Sequence, residues 1–503
     1  MEVIKKYKTQ LFFHLFLNFV FAAFITFASF VHIPLIGYAD HLLYLLQFIL
    51  IQFSVFGFLY FLSINRLLFR FVFPILFIVY VTASYWVYVQ DIAITKNIIQ
   101  VSLETKSDII AELITLPYLL FLFFALLFAL LILHFHSKIK INQLKSPLIY
   151  FAFVGVFIYP TFEFVKSGFF NRRLPFNLVD STKEYFDQNQ LLLKPIPNSL
   201  KATKDSLSIV FILGESVRAD HLQLNGYARN TNPFLSKRKN LISFSNTYTP
   251  NTCTAISVPQ ILTDASLSDD YSISKYSLIE ILNHANVETN WIGNQTPENS
   301  YEIFIKQSKF YTIIDPLHSE LSFQKNYDLQ LLPVFKKVFN PTKNQFTTLH
   351  MMGSHWWYET RYPKSFRKFK PVIESKHIPS NSKQEMINSY DNTLLYLDYF
   401  INETIKQVEK KNSNTLLIYL SDHGESLGEN GLWLHAQSGK ELMNPALVIW
   451  YSDKFKEKHP IEISQLQANS TKKIALDFFF QSILDLYKIK GIQYKKDNLI
   501  YQK

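Results

Sequence analysis

Only one cysteine, Cys253, occurs in 503 residues, so no disulfide can form within the chain. Cysteine usage therefore gives no sign of an oxidising compartment. There is no internal repeat and no low-complexity stretch. No basic helix and no basic–aromatic RNA motif accompanies the net charge of +10. The surplus suits anionic lipid head groups better than nucleic acid. Charged residues are scarce in the first third and crowd the rest, while the apolar residues, 49% of the chain, do the reverse. Length alone allows two or three domains. The asymmetry predicts a membrane half and a soluble half.

Five apolar stretches lie near 11–33, 42–64, 71–89, 115–133 and 147–166, and the first four carry no Asp, Glu, Lys or Arg. Each of those four is long enough to cross a bilayer core of about 30 Å. The fifth contains Pro160 and Glu163 and its uninterrupted apolar part is short. No small-residue cleavage site follows the first, so it does not read as a signal peptide. Lys5, Lys6 and Lys8, then Arg66 and Arg70, then Lys138, Lys140 and Lys145 fall on one side of the spans. The alternate loops hold only Lys96 and Lys106, beside Asp40, Asp91, Glu104, Asp108 and Glu112. The positive-inside rule then predicts a cytoplasmic N-terminus and delivers everything past about residue 167 to the outside. Four spans with a cytoplasmic soluble half is the competing topology. The domain expectation is a five-helix membrane domain over 1–167, an interfacial linker over 168–204 and a catalytic domain over 205–503.

From about 205 the pattern changes to short apolar runs separated by helical stretches. Strands are predicted at 208–213, 287–292, 346–350, 415–420 and 446–451, with a helix over 383–410. Alternation of this kind predicts a parallel sheet flanked by helices, an α/β architecture. Several strand ends carry polar residues, and ligands of open parallel sheets bind there. Glu215 follows the first run. A buried carboxylate needs a partner, and the simplest is Arg218 or Arg229. Asp422 and His423 follow another run, which changes that balance, because hard oxygen and imidazole donors suit zinc or manganese. His350 and His355 flank a Gly-Ser turn at a third strand end, and with His435 they are candidates to bind a phosphate or protonate a leaving oxygen. Thr254 opens a helix whose N–H groups favour anions. It is the candidate nucleophile, with Thr252, Cys253 and Ser257 as rivals that sequence chemistry alone does not separate.

The segments GESVRADHLQLNGYARNTNPFL, NTCTAISVP, LHMMGSH and SDHGESLGENGLWLHA resemble the phosphoethanolamine transferases of Gram-negative bacteria, within the alkaline phosphatase/sulfatase superfamily. The resemblance covers nearly the whole chain. It implies an α-helical membrane domain of five transmembrane helices, and a soluble α/β domain with a doubly wound, mostly parallel sheet of alkaline phosphatase/sulfatase type. It also implies a multi-pass protein of the bacterial inner membrane, with its catalytic domain in the periplasm. Zinc would be held by Glu215, Thr254, Asp422 and His423, with one ion bound tightly, room for a second, and manganese the weaker choice. His350, His355 and His435 would serve the substrate phosphate.

The reaction implied has two steps. Zinc activates the Thr254 hydroxyl, which takes phosphoethanolamine from phosphatidylethanolamine and releases diacylglycerol. An acceptor, lipid A phosphate or another envelope glycan, then receives the group. The expected molecule is a monomer with no nucleic-acid partner. Asn97 and Gln100 resemble an ethanolamine-contacting loop, with Glu104 the nearest acid, and Thr296, just past Trp291-Ile292-Gly293-Asn294, is a further substrate-binding candidate. Two features depart from the family: periplasmic disulfides are impossible, and no lysine follows Trp291-Ile292-Gly293-Asn294 at the expected distance. The alternative reading is a glycerol-phosphate transferase resembling lipoteichoic acid synthase, which the Ala-Ile-Ser-Val-Pro context fits less well. A sulfatase needs Cys or Ser in a C-x-P-x-R pattern, and Cys253 is followed by Thr254-Ala255-Ile256.

Overall fold

The computed structural model describes all residues except 1, 32–37, 91–93, 95–97, 100–101, 104–113, 140–142, 165–169, 171–172, 188–190, 198, 296, 298–299, 316–325, 375–377, 379–380, 497 and 503. Met1–Ser102 with Leu113–Asp187 form one compact unit, and Gln188–Lys376 with Ser380–Lys503 form another.

The first unit is helical: α1 (Glu2–Phe24), α2 (Tyr38–Ile64), α3 (Arg66–Gln90), α4 (Leu116–Ser137), α5 (Leu148–Phe164) and α6 (Phe176–Asp187). His41–Ile64, Arg66–Val89 and Leu116–Ser137 are long and apolar enough to cross a membrane. The first expected span is different. Its helix starts among the lysines and gives way after Phe24 to a 3₁₀ turn at Thr26–Ser29. The fifth expected span is a 17-residue helix containing Pro160. At about 1.5 Å per residue it is shorter than a bilayer core. Leu, Phe and Val side chains on the outer surfaces of α2, α3 and α4 are exposed, as a lipid environment allows and water disfavours. The stretch expected to be a linker contains α6, an amphipathic helix with Phe176 and Ser181 buried and Val179 and Phe186 exposed.

The second unit is built on one seven-stranded sheet: β1 (Ser208–Gly214), β2 (Leu241–Phe244), β3 (Glu288–Gly293), β4 (Phe310–Ile313), β5 (Gln345–His350), β6 (Thr415–Ser421) and β7 (Leu447–Tyr451), in the order β2-β7-β6-β1-β5-β3-β4. All five predicted strands are present. The run from β6 to β4 is parallel, whereas β7 is antiparallel to both β6 and β2. β1 is buried along its whole length, as is β6, which is why both read as continuous apolar runs. Thr254–Ile261 (α7) and Lys383–Glu409 (α8) complete the frame. A capping box, Ser382 with Glu385, fixes where α8 starts.

Candidate active site

Register brings the strand ends together. Gly214 pairs with Ser421, and Leu213 pairs with His350. The residues that follow, Glu215, Asp422 and His423, therefore emerge side by side, each buried. Gly214 has to be glycine: a Cβ there would lie 2.3 Å from the Tyr419 hydroxyl. We expect Gly214→Ala to push the end of β1 off Tyr419, cost about 1–3 kcal/mol of stability and displace Glu215. Thermal melts read alongside activity check this, and an unchanged melting temperature would contradict it.

Thr254 is the first residue of α7, after Cys253 as N-cap. Its hydroxyl donates to Glu215 Oε2 at 2.8 Å. Ser257 is buried, with its hydroxyl committed to the Asp422 carbonyl at 2.6 Å. Cys253 is buried as well. Among the expected rivals, Thr254 is thus the one whose oxygen is shown against the carboxylate. The simple partners for Glu215 are occupied elsewhere. Arg218 pairs with Asp220 and Glu429, and Arg229 pairs with Asp391.

Glu215 is held instead by Ser216, whose hydroxyl donates to Oε1 at 2.6 Å, and by Gln295, whose amide donates to Oε2 at 3.1 Å. Asp422 Oδ1 accepts the N–H groups of Ser216 and His423. His423 donates Nδ1–H to the Gly424 carbonyl at 2.7 Å, which leaves Nε2 as a lone-pair donor 3.4 Å from Glu215 Oε1 and 3.4 Å from Asp422 Oδ2. Among the described residues, neither His423 Nε2 nor Asp422 Oδ2, both buried, has a hydrogen-bond partner. Such orphaned atoms are costly unless something binds them. An imidazole fixed through its other N–H to a carbonyl is the usual posture of a metal-ligating histidine. Glu215, His423 and His435 each offer a ligand atom within 4.8 Å of the others. Glu215 with the orphaned atoms of Asp422 and His423 makes a donor set that fits zinc.

The electrostatics follow from that crowding. Burial alone would raise the Glu215 carboxyl, but His423, His355 and His435 outweigh it and hold it well below the usual range. Burial and the Glu215 charge push Asp422 well above its usual range. Burial lowers His423. Two carboxylates this close and this buried call for a cation between them.

The rings of His355 and His435 meet edge to face with centres 5.2 Å apart. Burial drives His355 down to about 3, so it is neutral at pH 7. Its Nδ1–H donates to the Trp356 carbonyl at 2.6 Å, and the Arg361 guanidinium clamps the carbonyls of His355 and Trp356. Burial would also lower His435, but Glu425, Glu215 and Asp422 outweigh it and push it up to about 9. His435 Nδ1–H meets Glu425 Oε2 at 3.1 Å, and the Tyr358 hydroxyl donates to Glu425 Oε1 at 2.6 Å. His350 is fully buried at the end of β5, its ring edge-on to Trp291 at 5.5 Å and Tyr301 at 5.4 Å. Its aromatic packing sets it apart from the pair of His355 and His435. Asn97, Gln100, Glu104 and Thr296 lie outside the described residues. The sequence reading missed Ser216, Gln295, Glu425 and Tyr358. Adjacency to Glu215 and to Asp422-His423 was a usable signal for Ser216 and Glu425, but Tyr358 offered none.

Two carboxylates, imidazoles and a helix-borne hydroxyl thus meet at one end of the sheet. A Sulfatase family model matches residues 208–489, more than half of the chain, and the chain belongs to that family. Among curated proteins it is similar to phosphoethanolamine transferase EptA of Escherichia coli (strain K12), 30% identical over 305 residues, covering 58% of this chain and 55% of that protein. It is also similar to phosphatidylethanolamine transferase Mcr-1 of Escherichia coli, 32% identical over 255 residues, covering 47% of each. These matches span only about half of the curated relatives' own length. Among solved structures, the integral membrane lipooligosaccharide phosphoethanolamine transferase A (EptA) from Neisseria meningitidis aligns over 97% of both chains, with a TM-score of 0.79 and 25% identity. The C-terminal periplasmic domain of EptC from Escherichia coli, in complex with Zn, aligns over 61% of this chain and 90% of its own, with a TM-score of 0.53 and 25% identity. The resemblance read from the sequence motifs is matched by a structural likeness over 97% of the chain.

Proposed function

We propose that the protein is a membrane-bound phosphoethanolamine transferase that moves phosphoethanolamine from phosphatidylethanolamine to lipid A phosphate, with Thr254 as the covalent carrier. The observation that carries the reading is the Thr254 hydroxyl seated on the Glu215 carboxylate, beside Asp422 and His423. The similarity to an integral membrane phosphoethanolamine transferase supports the substrate class.

Glu215, Thr254, Asp422 and His423 are the residues that would hold a zinc ion, which when bound supplies a Lewis acid that favours the ionised threonine and offsets charge on the phosphoryl oxygens. Glu215 takes the hydroxyl hydrogen bond and aims Oγ1. As Thr254 Oγ1 attacks phosphorus its proton passes along that hydrogen bond to Glu215 Oε2, and the bond from phosphorus to the glycerol oxygen breaks. His435, protonated at neutral pH, gives that oxygen its proton, so diacylglycerol leaves as an alcohol. His355, neutral, offers a hydrogen bond to the phosphoryl group. A hydroxyl oxygen of the acceptor phosphate then attacks phosphorus and gives its proton back to His435, the bond to Thr254 breaks, and the proton held by Glu215 returns to Oγ1 to restore the hydroxyl. Positioning and charge stabilisation supply the catalysis, as in phosphoryl transfer generally.

In this reading, residues 1–167 form five spans with a cytoplasmic N-terminus, 168–204 lies at the interface, and 205–503 is periplasmic. One zinc is held tightly and the protein acts as a monomer. The charge distribution about the spans supports the orientation. A reporter fused after Lys503 is expected to be active only outside the cytoplasm, and cytoplasmic activity would overturn the topology. Mass spectrometry of lipid A tests the function. Cells with the protein should gain one phosphoethanolamine group that cells without it lack, and an unmodified lipid A would remove this acceptor from the account.

A further inference from the structure

Gln295 follows β3 and is buried to 1% exposure. Every polar atom of its amide is engaged. Nε2 donates to Glu215 Oε2 at 3.1 Å and to the Met351 carbonyl at 2.9 Å, while Oε1 accepts the Tyr301 hydroxyl at 3.3 Å. The amide therefore bridges the ends of β1, β3 and β5, and its orientation is set by a tyrosine. Glu215 Oε2 is the oxygen that also takes the Thr254 hydroxyl. On the other side, Ser216 donates to Oε1 from a left-handed backbone at φ 58°. Such a conformation in a non-glycine residue persists only where its surroundings enforce it.

We infer that Gln295, oriented by Tyr301, is a positioning residue that fixes the rotamer of Glu215 and so sets both the metal affinity of the site and the aim of Thr254. The inference rests on the proposed zinc-dependent transfer. Arg218 and Arg229, the first two arginines after Glu215, are paired elsewhere. The restraint on Glu215 therefore comes from neutral donors, which leave its charge available to a metal. A neutral amide suits this task better than a lysine, whose charge would compete with the cation. Partners behind a metal ligand typically govern affinity by about 10- to 100-fold.

The test is zinc affinity of the full-length detergent-solubilised protein, by competition with a chromophoric chelator, for wild type, Gln295→Leu and Tyr301→Phe. Zinc dissociation is expected to weaken by at least about tenfold in Gln295→Leu and by a smaller factor in Tyr301→Phe. The KM for phosphatidylethanolamine should hold while kcat falls. Should Gln295→Leu fail to fold, Tyr301→Phe, which removes one hydroxyl, decides the matter. Affinities within twofold of wild type in the folded variants would overturn the inference while leaving the transfer reading intact. A wild-type protein that binds no zinc would overturn the transfer reading itself.

Discussion

Thr254→Ala is expected to abolish transfer, lowering the rate by about three orders of magnitude or more, while the protein keeps its fold. The loss is large because two of the three rivals are committed elsewhere. Ser257 donates its hydroxyl to the Asp422 carbonyl, and Cys253 is buried as the N-cap of α7. The fold survives because Thr254 is half-buried and caps nothing. Its hydrogen bond to the Glu215 carboxylate is worth about 1.5–3 kcal/mol, less than a domain's stability. Diacylglycerol release from phosphatidylethanolamine vesicles measures the rate, and a thermal melt checks the fold. Residual activity above a few per cent would move the nucleophile to another residue.

Asp422→Asn has the second large effect, and it acts in two directions. The variant keeps an oxygen to accept the N–H groups of Ser216 and His423, so the local backbone holds. It removes a full ligand charge, and zinc affinity should fall by more than about a hundredfold. The metal-free protein should be more stable than metal-free wild type, by about 1–3 kcal/mol. Two buried carboxylates then no longer repel each other without a cation between them, the repulsion that pushes Asp422 up. His423→Ala removes a ligand without relieving that repulsion, so it should lose zinc and gain no stability. Metal analysis with chelator-treated melts reads both. Unchanged zinc content in either variant would refute the ligand assignment.

The strand ends were legible because burial on both faces leaves an unmistakable apolar run in β1 and β6, with a polar residue where each run stops. β2 and β4 were not. Each has four residues at one edge of the sheet, and Phe310 and Tyr311 of β4 are exposed, so no run or alternation marks them. The reversed direction of β7 is a property of the chain's path through space, and its sequence, Leu447–Tyr451, reads the same either way. In the site, Glu215, Asp422, His423 and Thr254 were visible as residue types at strand and helix ends. Gln295 meets Glu215 across 80 positions of sequence, and only the register of β1, β5 and β3 brings them together. His350 ends β5 and packs against Trp291 and Tyr301, while His355 lies beyond the turn at Gly353; their five-residue spacing carried neither the packing nor the turn. In the membrane half, composition marked the apolar helices well, but it did not place the end of α1 at Phe24.

The most direct test of the central claim is peptide mass spectrometry of the full-length zinc-loaded protein, quenched in acid after brief mixing with phosphatidylethanolamine vesicles and no acceptor. The account predicts a mass gain of one phosphoethanolamine group on the peptide carrying Thr254, lost when lipid A is added and absent from Thr254→Ala. An adduct on a different residue, or diacylglycerol release with no adduct at any time point, would contradict it.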